Sequence, residues 1–472
     1  MSRFTGRVLH IDGSNKTDMS GRFRLSKSRI MAGLQCRKRL WLETHRRELM
    51  RVSPASEHIF RMGHLFGECA RPLMGQGELV GHVLDIAKAV DKTRVALERA
   101  SARGTMVYEA AFSYGNVVAR ADGFASCADG WHMTEVKAAS AIKDYFYQDC
   151  AVQVWVAEGA GYPVRQVTLA CIDSRFVYPG GGDYGGLLRY IDATEEVARL
   201  KAAVGGVVED LRTVLRGEEP EIAVGSHCSS PYACPFMAHC GAQAADRSRV
   251  SRRTAHYASA RSSAVLPYPR HFLHVEAIAS PVPRWTGTRP YQRIPVLWSC
   301  QTETEPGHLV QRAHLDSFNV PSKQQFARTL LDAFGSDQGV IVATSVDRAC
   351  VEALRASVPE YCAELGAFLQ RFAHSIDVPV AHGVAGVPEY DDIADSESAE
   401  QAWWKAASPE TGEDRKQRLV ESLLRYARRY ALCLQETFNA QGALTAVDSD
   451  VSRSGSRGKM PSKAANEAKR RR

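Results

Sequence analysis

Asp122, Glu135 and Lys137 are the residue types that hydrolyse phosphate esters, and they fall within sixteen residues of one another. Asp122, in RADGF, ends one predicted strand; Glu135 and Lys137, in TEVKA, stand two apart on the next. A period of two turns both of the latter side chains to one face, and a hairpin brings Asp122 alongside. Two carboxylates aimed at one point repel unless a divalent cation neutralises them, and all-oxygen ligation suits Mg2+ or Mn2+. Such an ion would polarise a phosphate and activate water. The nearby ammonium would position that water or offset charge building in the transition state. On pattern alone, an exposed hairpin with ordinary surface charges reads the same way.

A second group is made of sulfur. Residues 227–240, HCSSPYACPFMAHC, place Cys228, Cys234 and Cys240 six apart, with Pro235 directly after the middle one. The N-terminal stretch lacks the apolar core of a signal peptide, so a reducing, cytoplasmic setting is expected. There, clustered thiols are metal ligands or buried side chains rather than a disulfide framework. The cysteines at 69, 127, 150, 171, 300, 350, 362 and 433 stand singly in apolar surroundings and read as small core residues.

RADGF, TEVKAAS and Gln153 in DCAVQVWVAEGAG together resemble the motif series of RecB-type nucleases of the PD-(D/E)XK superfamily. The resemblance implies a restriction-endonuclease-like α/β fold in which Asp122 and Glu135 bind the metal. It makes Lys137 catalytic and gives Gln153 a supporting role that includes contact with DNA. The family's upstream G-x-x-x-H-E pattern appears as GHLFGECAR, with Gly67 in the His place, Glu68 retained as a metal acid, and His64 one helical turn away as a substitute. One branch, AddB-like and CRISPR-adaptation nucleases, carries one Cys before the nuclease core and three after it, holding a 4Fe-4S cluster. Cys36 in LQCRKRLW matches the first position, and Cys228, Cys234 and Cys240 match the trio. The trio departs from the commoner spacing of that branch, in which two of the three are only two residues apart. Four thiolates suit zinc as well as a cubane cluster, and spacing does not separate them. Either would clip the two ends of the domain together. Arg37, Lys38 and Arg39 beside Cys36 read as a face for a DNA strand or as a solvated helix face.

The second half, from HFLHVEAIASPVPRWTGTRPYQRIPVLWSC, resembles the start of a DnaQ-type, RNase H-like exonuclease domain. The expected opening D-F-E-T is here H-V-E-A, so His274 stands in an Asp place and Glu276 remains. In LLRYARRYAL, Tyr430 stands in another Asp place. Asp377, in SIDVPV, retains an internal acid, and Asp347 lies near a further acidic position. Two-metal chemistry needs several clustered carboxylates, so loss of two predicts an inactive fold that binds nucleic acid, contacts a protein partner or supports the first domain. Trp285, Arg289, Tyr291, Gln292 and Trp298 read as an aromatic and basic cluster for base stacking, or as packing residues.

The elements that must position these groups can be read locally. Ser26 caps a helix on which Ile30, Leu34 and Trp41 recur at helical spacing and which carries Cys36. Strands over 107–124 and 131–138 are broken by the turn pairs Gly115-Asn116 and Asp129-Gly130. A helix in KDYFYQDCAVQVWVAEGAG stops at Gly159 and Gly161, and VRQVTLACID follows as a strand. With 472 residues and 44% hydrophobic composition the chain fits two domains. The expected layout is a disordered 1–22, a nuclease domain with its cluster over 23–245, a linker over 246–268, an RNase H-like domain over 269–440 and a disordered basic tail over 441–472. Residues 451–472 hold eight Lys/Arg against one Glu, which accounts for the whole formal charge of +7. That tail either adds sequence-blind attraction to phosphates or serves solubility. No run of about 18 apolar residues suggests a membrane span. The expected function is metal-dependent DNA hydrolysis on single-stranded or free ends, in repair, recombination or defence. The rivals are a non-catalytic nucleic-acid-binding or scaffolding protein, and a 3′ to 5′ exonuclease working through the second domain.

Overall fold

The computed structural model describes residues 23–81, 85–247, 266–335, 339–375, 393 and 395–454. The expected disordered N-terminus, most of the expected linker, Asp377 and the basic stretch after 454 lie outside the described residues. The chain is mixed α/β, built around two sheets in two compact units. One unit holds the residues up to 247 together with Ala279–Gln292; the other holds 266–278 and the residues from Arg293 on.

In the first unit the order is β1 (Leu25–Ser26), α1 (Lys27–Gln35), α2 (Arg37–His45), α3 (Pro54–Leu73), β2 (Gly77–Leu79), α4 (Ile86–Arg103), β3 (Met106–Tyr114), β4 (Val117–Cys127) and β5 (Gly130–Lys137). There follow α5 (Asp144–Gly159), β6 (Val164–Ile172), β7 (Leu188–Asp192), α6 (Thr194–Lys201), α7 (Val204–Arg216) and α8 (Met237–Arg247). The sheet runs β2-β3-β4-β5-β6-β7, with β1 beside β4. β3, β4 and β5 form the antiparallel meander read from the turn pairs, and Asn116 takes the left-handed conformation (φ 58°) that its turn requires. β6 then pairs in parallel with β5 through the crossover helix α5.

Alternation along β5 decides which layer each side chain meets. Met133 packs into the large core with Phe146, Cys150 and Val154 of α5, so Glu135 and Lys137 face that helix as well. Val136 faces the other way, where Phe66 of α3, Ile172, Leu187 and Val282 form a second cluster. α5 is apolar nearly all round and buried on most of its surface, as befits a helix enclosed between the sheet and α1, α6 and α7. α1 lies close against α7 because residue 33 is glycine: a Cβ there would stand 2.6 Å from a Leu211 methyl.

One local expectation changes. Cys36 does not ride on a continuous helix; it is the extended residue (φ −160°, ψ 119°) that ends α1 and begins α2. Leu34 is accordingly exposed rather than part of an apolar stripe, while Ile30 is buried as read. Of the eight single cysteines, Cys150, Cys171, Cys300 and Cys350 are buried, Cys69, Cys362 and Cys433 are partly exposed, and Cys127, at a hairpin end, is exposed.

The second unit contains β8 (Arg270–Ile278), β9 (Ile294–Glu305), β10 (His308–Leu315), α9 (Lys323–Phe334), β11 (Val340–Ala343), α10 (Ser345–Ser357), α11 (Cys362–Gln370), β12 (Phe372–Ser375), α12 (Ser396–Ala406) and α13 (Glu413–Ser454). α13 continues past 441, where the tail was expected to begin. Its sheet order is β10-β9-β8-β11-β12, antiparallel on the β10 side and parallel on the β12 side. Leu273, Val275 and Ala277 of β8 face the core made with α9, α10 and α11. The alternate residue Phe272 packs with Leu434 and Phe438 of α13, and the period of two sends His274 and Glu276 to that side.

Candidate active site

Three acids stand at one register level across adjacent strands: Glu109 on β3, Asp122 on β4 and Glu135 on β5. The β3 ladder pairs Tyr108 with Gly123 and Ala110 with Ala121 but skips Glu109, whose φ is 59°. The left-handed backbone at Glu109 interrupts the ladder at that one position without shifting its register. Asp122 Oδ2 accepts a hydrogen bond from the Val136 backbone N–H at 2.7 Å, which locks β4 to β5 at the level of Glu135. Burial, then Glu135 and Glu109, push the Asp122 carboxyl well above the usual carboxylate range.

Glu135 is 3% exposed and lies in a closed ion cluster. Lys137 Nζ donates to Glu135 Oε1 at 2.8 Å and also to Asp149 Oδ2. Lys27 Nζ reaches the same two oxygens, each at 3.1 Å. Two ammoniums therefore bridge two carboxylates in a ring. Burial opposes the charge on Glu135, yet Lys137 and Lys27 outweigh it and hold its pKa well below the ordinary value. Burial likewise works against both ammoniums, and Asp149 and Glu135 more than offset it, so both lysine pKa values are raised. The face of Phe146 backs Lys137, 5.4 Å from its nitrogen.

Gln153 Nε2 donates to Glu135 Oε2 at 2.8 Å and to the Arg120 carbonyl at 2.9 Å. Both partners are acceptors, which fixes the amide orientation. Its Oε1 is buried and has no hydrogen-bond partner among the described residues. An orphaned buried acceptor costs about 1–3 kcal/mol unless a donor or cation meets it. So the structure brings Asp122, Glu135, Lys137 and Gln153 together. It does not bring Glu68: α3 lies on the Val136 side of the sheet, and Glu68 pairs at 3.4 Å with the largely exposed His64.

Sequence reasoning missed Lys27, Asp149 and Glu109. Asp149 carried a signal, being one helical turn before Gln153 on the same face of α5. Lys27, more than a hundred residues from Glu135, carried none.

Cys36, Cys228, Cys234 and Cys240 line a single cavity with Lys38, Arg39, Leu42, Phe236 and Met237. Gln35 Nε2 ties the end of α1 to this loop, donating to the His227 and Tyr232 carbonyls at 2.7 Å each. The Cys234 N–H bonds the Cys228 carbonyl at 2.7 Å, and Arg51 N–H bonds the Pro235 carbonyl at 2.8 Å. Burial first, then the neighbouring thiols Cys228 and Cys36, push up the pKa of both Cys234 and Cys240. A soft cation would stabilise the thiolate form of cysteines gathered in this way. Among the described residues, no group of three or more His, Cys, Asp or Glu side chains is close enough to form a metal-holding set. The cysteines share a cavity without meeting at a point.

The second unit is arranged differently. His274, Glu276 and Asp347 are all buried. The imidazole stands between the carboxylates, Nδ1 3.1 Å from Asp347 Oδ1 and Nε2 3.0 Å from Glu276 Oε1. Burial disfavours its charge, but the two carboxylates raise its pKa to about 9. Tyr430 stacks on the ring at 3.8 Å. Ser396 and Tyr426 hydroxyls donate to Glu276 Oε1 at 2.7 and 2.8 Å. Asp347 accepts from the Val275 N–H and from both the N–H and hydroxyl of Thr344. An imidazolium occupies the space between the acids, so these residues do not fit a pair of divalent ions. The expected aromatic and basic cluster divides: Trp285, Arg289, Tyr291 and Gln292 belong to the segment packed with the first unit, and Trp298 is buried in β9. Tyr291 donates its hydroxyl to the Ala138 carbonyl at 2.5 Å.

Residues 271–382 match a family model described as a domain of unknown function, DUF2779. No curated protein matches the chain. No helix among the described residues is long and apolar enough to cross a membrane.

Proposed function

We propose that the first unit is a metal-dependent nuclease of the PD-(D/E)XK type that hydrolyses phosphodiester bonds in DNA, single-stranded or with free ends. The observation that carries this reading is the unsatisfied Gln153 Oε1 beside two converging carboxylates and an ammonium. Asp122 and Glu135 would supply the oxygen ligands for Mg2+ or Mn2+, and Asp122, whose carboxyl burial pushes toward the neutral form, would have to be ionised to serve as one. When bound, the ion supplies a polarised phosphate and a more acidic water. Lys137 orients the attacking water and offsets negative charge on the phosphorus oxygens. Gln153 fixes one oxygen of Glu135 and offers Oε1 to a water hydrogen.

The shared cavity of Cys36, Cys228, Cys234 and Cys240 supports a 4Fe-4S cluster in this reading, with zinc as the alternative for the same four sulfurs. Its role is to fasten the start of the unit to its end. The second unit is an RNase H-like domain whose acids are closed by His274, and its role is to bind nucleic acid or a protein partner.

The test is cleavage of end-labelled single- and double-stranded DNA and RNA with Mn2+ or EDTA, on wild type and Lys137→Ala. Mn2+-dependent DNA cleavage lost in the variant, with visible absorbance unchanged, is the expected result. Cleavage surviving in Lys137→Ala discards the assignment, and inactive wild type leaves a binding protein.

A further inference from the structure

Lys27 enters the acid cluster from a separate element. Ser26 ends β1 and caps α1, its hydroxyl accepting from the Arg29 N–H at 3.3 Å, which places residue 27 at the first helical position. β1 is held parallel to β4 through Leu25 opposite Val117, so the start of α1 is anchored to the strand that carries Asp122. From there the Lys27 ammonium makes both of the contacts that Lys137 makes, to Glu135 Oε1 and to Asp149 Oδ2.

Duplication has a consequence for any cation entering between Asp122 and Glu135. One ammonium on Glu135 suffices for charge balance, and a second competes with the ion for the same oxygen. Asp149 gives a displaced ammonium somewhere to stay, since both lysines already bond its Oδ2. Lys137, backed by Phe146, is the more enclosed of the two; Lys27 is 22% exposed against 16%.

We propose that Lys27 is a positioning residue of this site: with Asp149 it holds Lys137 in place and lowers the affinity of the carboxylates for a divalent cation, so that the metal centre fills only at higher ion concentration. This rests on the hydrolytic reading above. Removing the positive charge strengthens cation binding while removing the brace weakens turnover, and a merely structural lysine cannot move the two in opposite directions.

The experiment is Mn2+ titration by electron paramagnetic resonance, paired with single-turnover cleavage, on the full chain. Lys27→Met is expected to bind Mn2+ about tenfold more tightly, as loss of a like charge a few ångströms away dictates, and to cleave about tenfold more slowly. Lys27→Arg, which keeps the charge, restores wild-type Mn2+ affinity. Asp149→Asn leaves two ammoniums against one carboxylate and weakens Mn2+ binding severalfold. Unchanged or weaker binding in Lys27→Met overturns the proposal. Should that variant fail to fold by circular dichroism, Asp149→Asn decides: weaker binding supports it, unchanged or tighter binding overturns it. Wild type that neither binds Mn2+ nor cleaves overturns the hydrolytic reading and this inference with it. Wild type that does both, with Lys27→Met indistinguishable from it, overturns the role of Lys27 alone.

Discussion

The two units each bury acids and pair them with side-chain cations, and they differ in what the cation is. Around Glu135 the positive charges are ammoniums on flexible stems, shared between two carboxylates, with an amide oxygen left over. Around Glu276 the charge is a flat imidazolium wedged between carboxylates, stacked on Tyr430 and hemmed by Ser396 and Tyr426. Lysines can swing aside for an incoming ion; a stacked ring with both nitrogens bonded cannot without breaking the packing around it. A site that is electrically balanced but incompletely bonded is poised to accept something. One whose ring nitrogens and acids are already bonded is finished.

Four measurements break or sharpen that contrast. Glu135→Gln is expected to lower cleavage by at least about a thousandfold, whereas His274→Ala leaves the rate of the folded protein unchanged, both read from labelled DNA with Mn2+. Equal losses would erase the distinction between the units. His274→Ala instead strands two buried carboxylates and should destabilise the second unit by about 3–5 kcal/mol in urea. Alkali tests the same imidazolium in the native protein. Because its folded pKa of about 9 lies above the ordinary histidine value, the stabilisation is complete below that ordinary value and is lost as pH rises through 9. The second unit should therefore lose up to about 3 kcal/mol between pH 7 and 10 in denaturation experiments. A flat profile means that the ring is neutral. The smallest effect is Ser396→Ala, about 1 kcal/mol, since Glu276 keeps Tyr426 and His274 as partners.

Local chemistry was legible where it was decided locally. Gly115-Asn116 and Asp129-Gly130 marked both turns of the meander, and the alternation in TEVKA correctly put Glu135 and Lys137 on one face. The break at Cys36 was invisible because LQCRKRLW contains no Gly or Pro; it lies beside Gln35, whose amide bonds two carbonyls nearly two hundred residues away. Lys27 was missed for a related reason, its partners lying on β5 and α5. At His274 the sequence showed a lost acid. It could not show that the replacement is itself the counter-ion, since that depends on Asp347 arriving from the start of α10. The separation of 279–292 from the strands that flank it was equally hidden, because its partners, among them Ala138 and Tyr178, belong to distant loops.

α1 is nine residues long, about 13 Å from end to end. Lys27 occupies one tip and Cys36 closes the other, while Tyr232, from the loop between Cys228 and Cys234, rests its ring against Tyr145, next to the Phe146 that backs Lys137. A shift of Cys36 at one extremity would have only this short helix to cross before reaching Lys27 at the other. A preparation left in air, its thiols oxidising one after another, should grow sluggish well before it unravels.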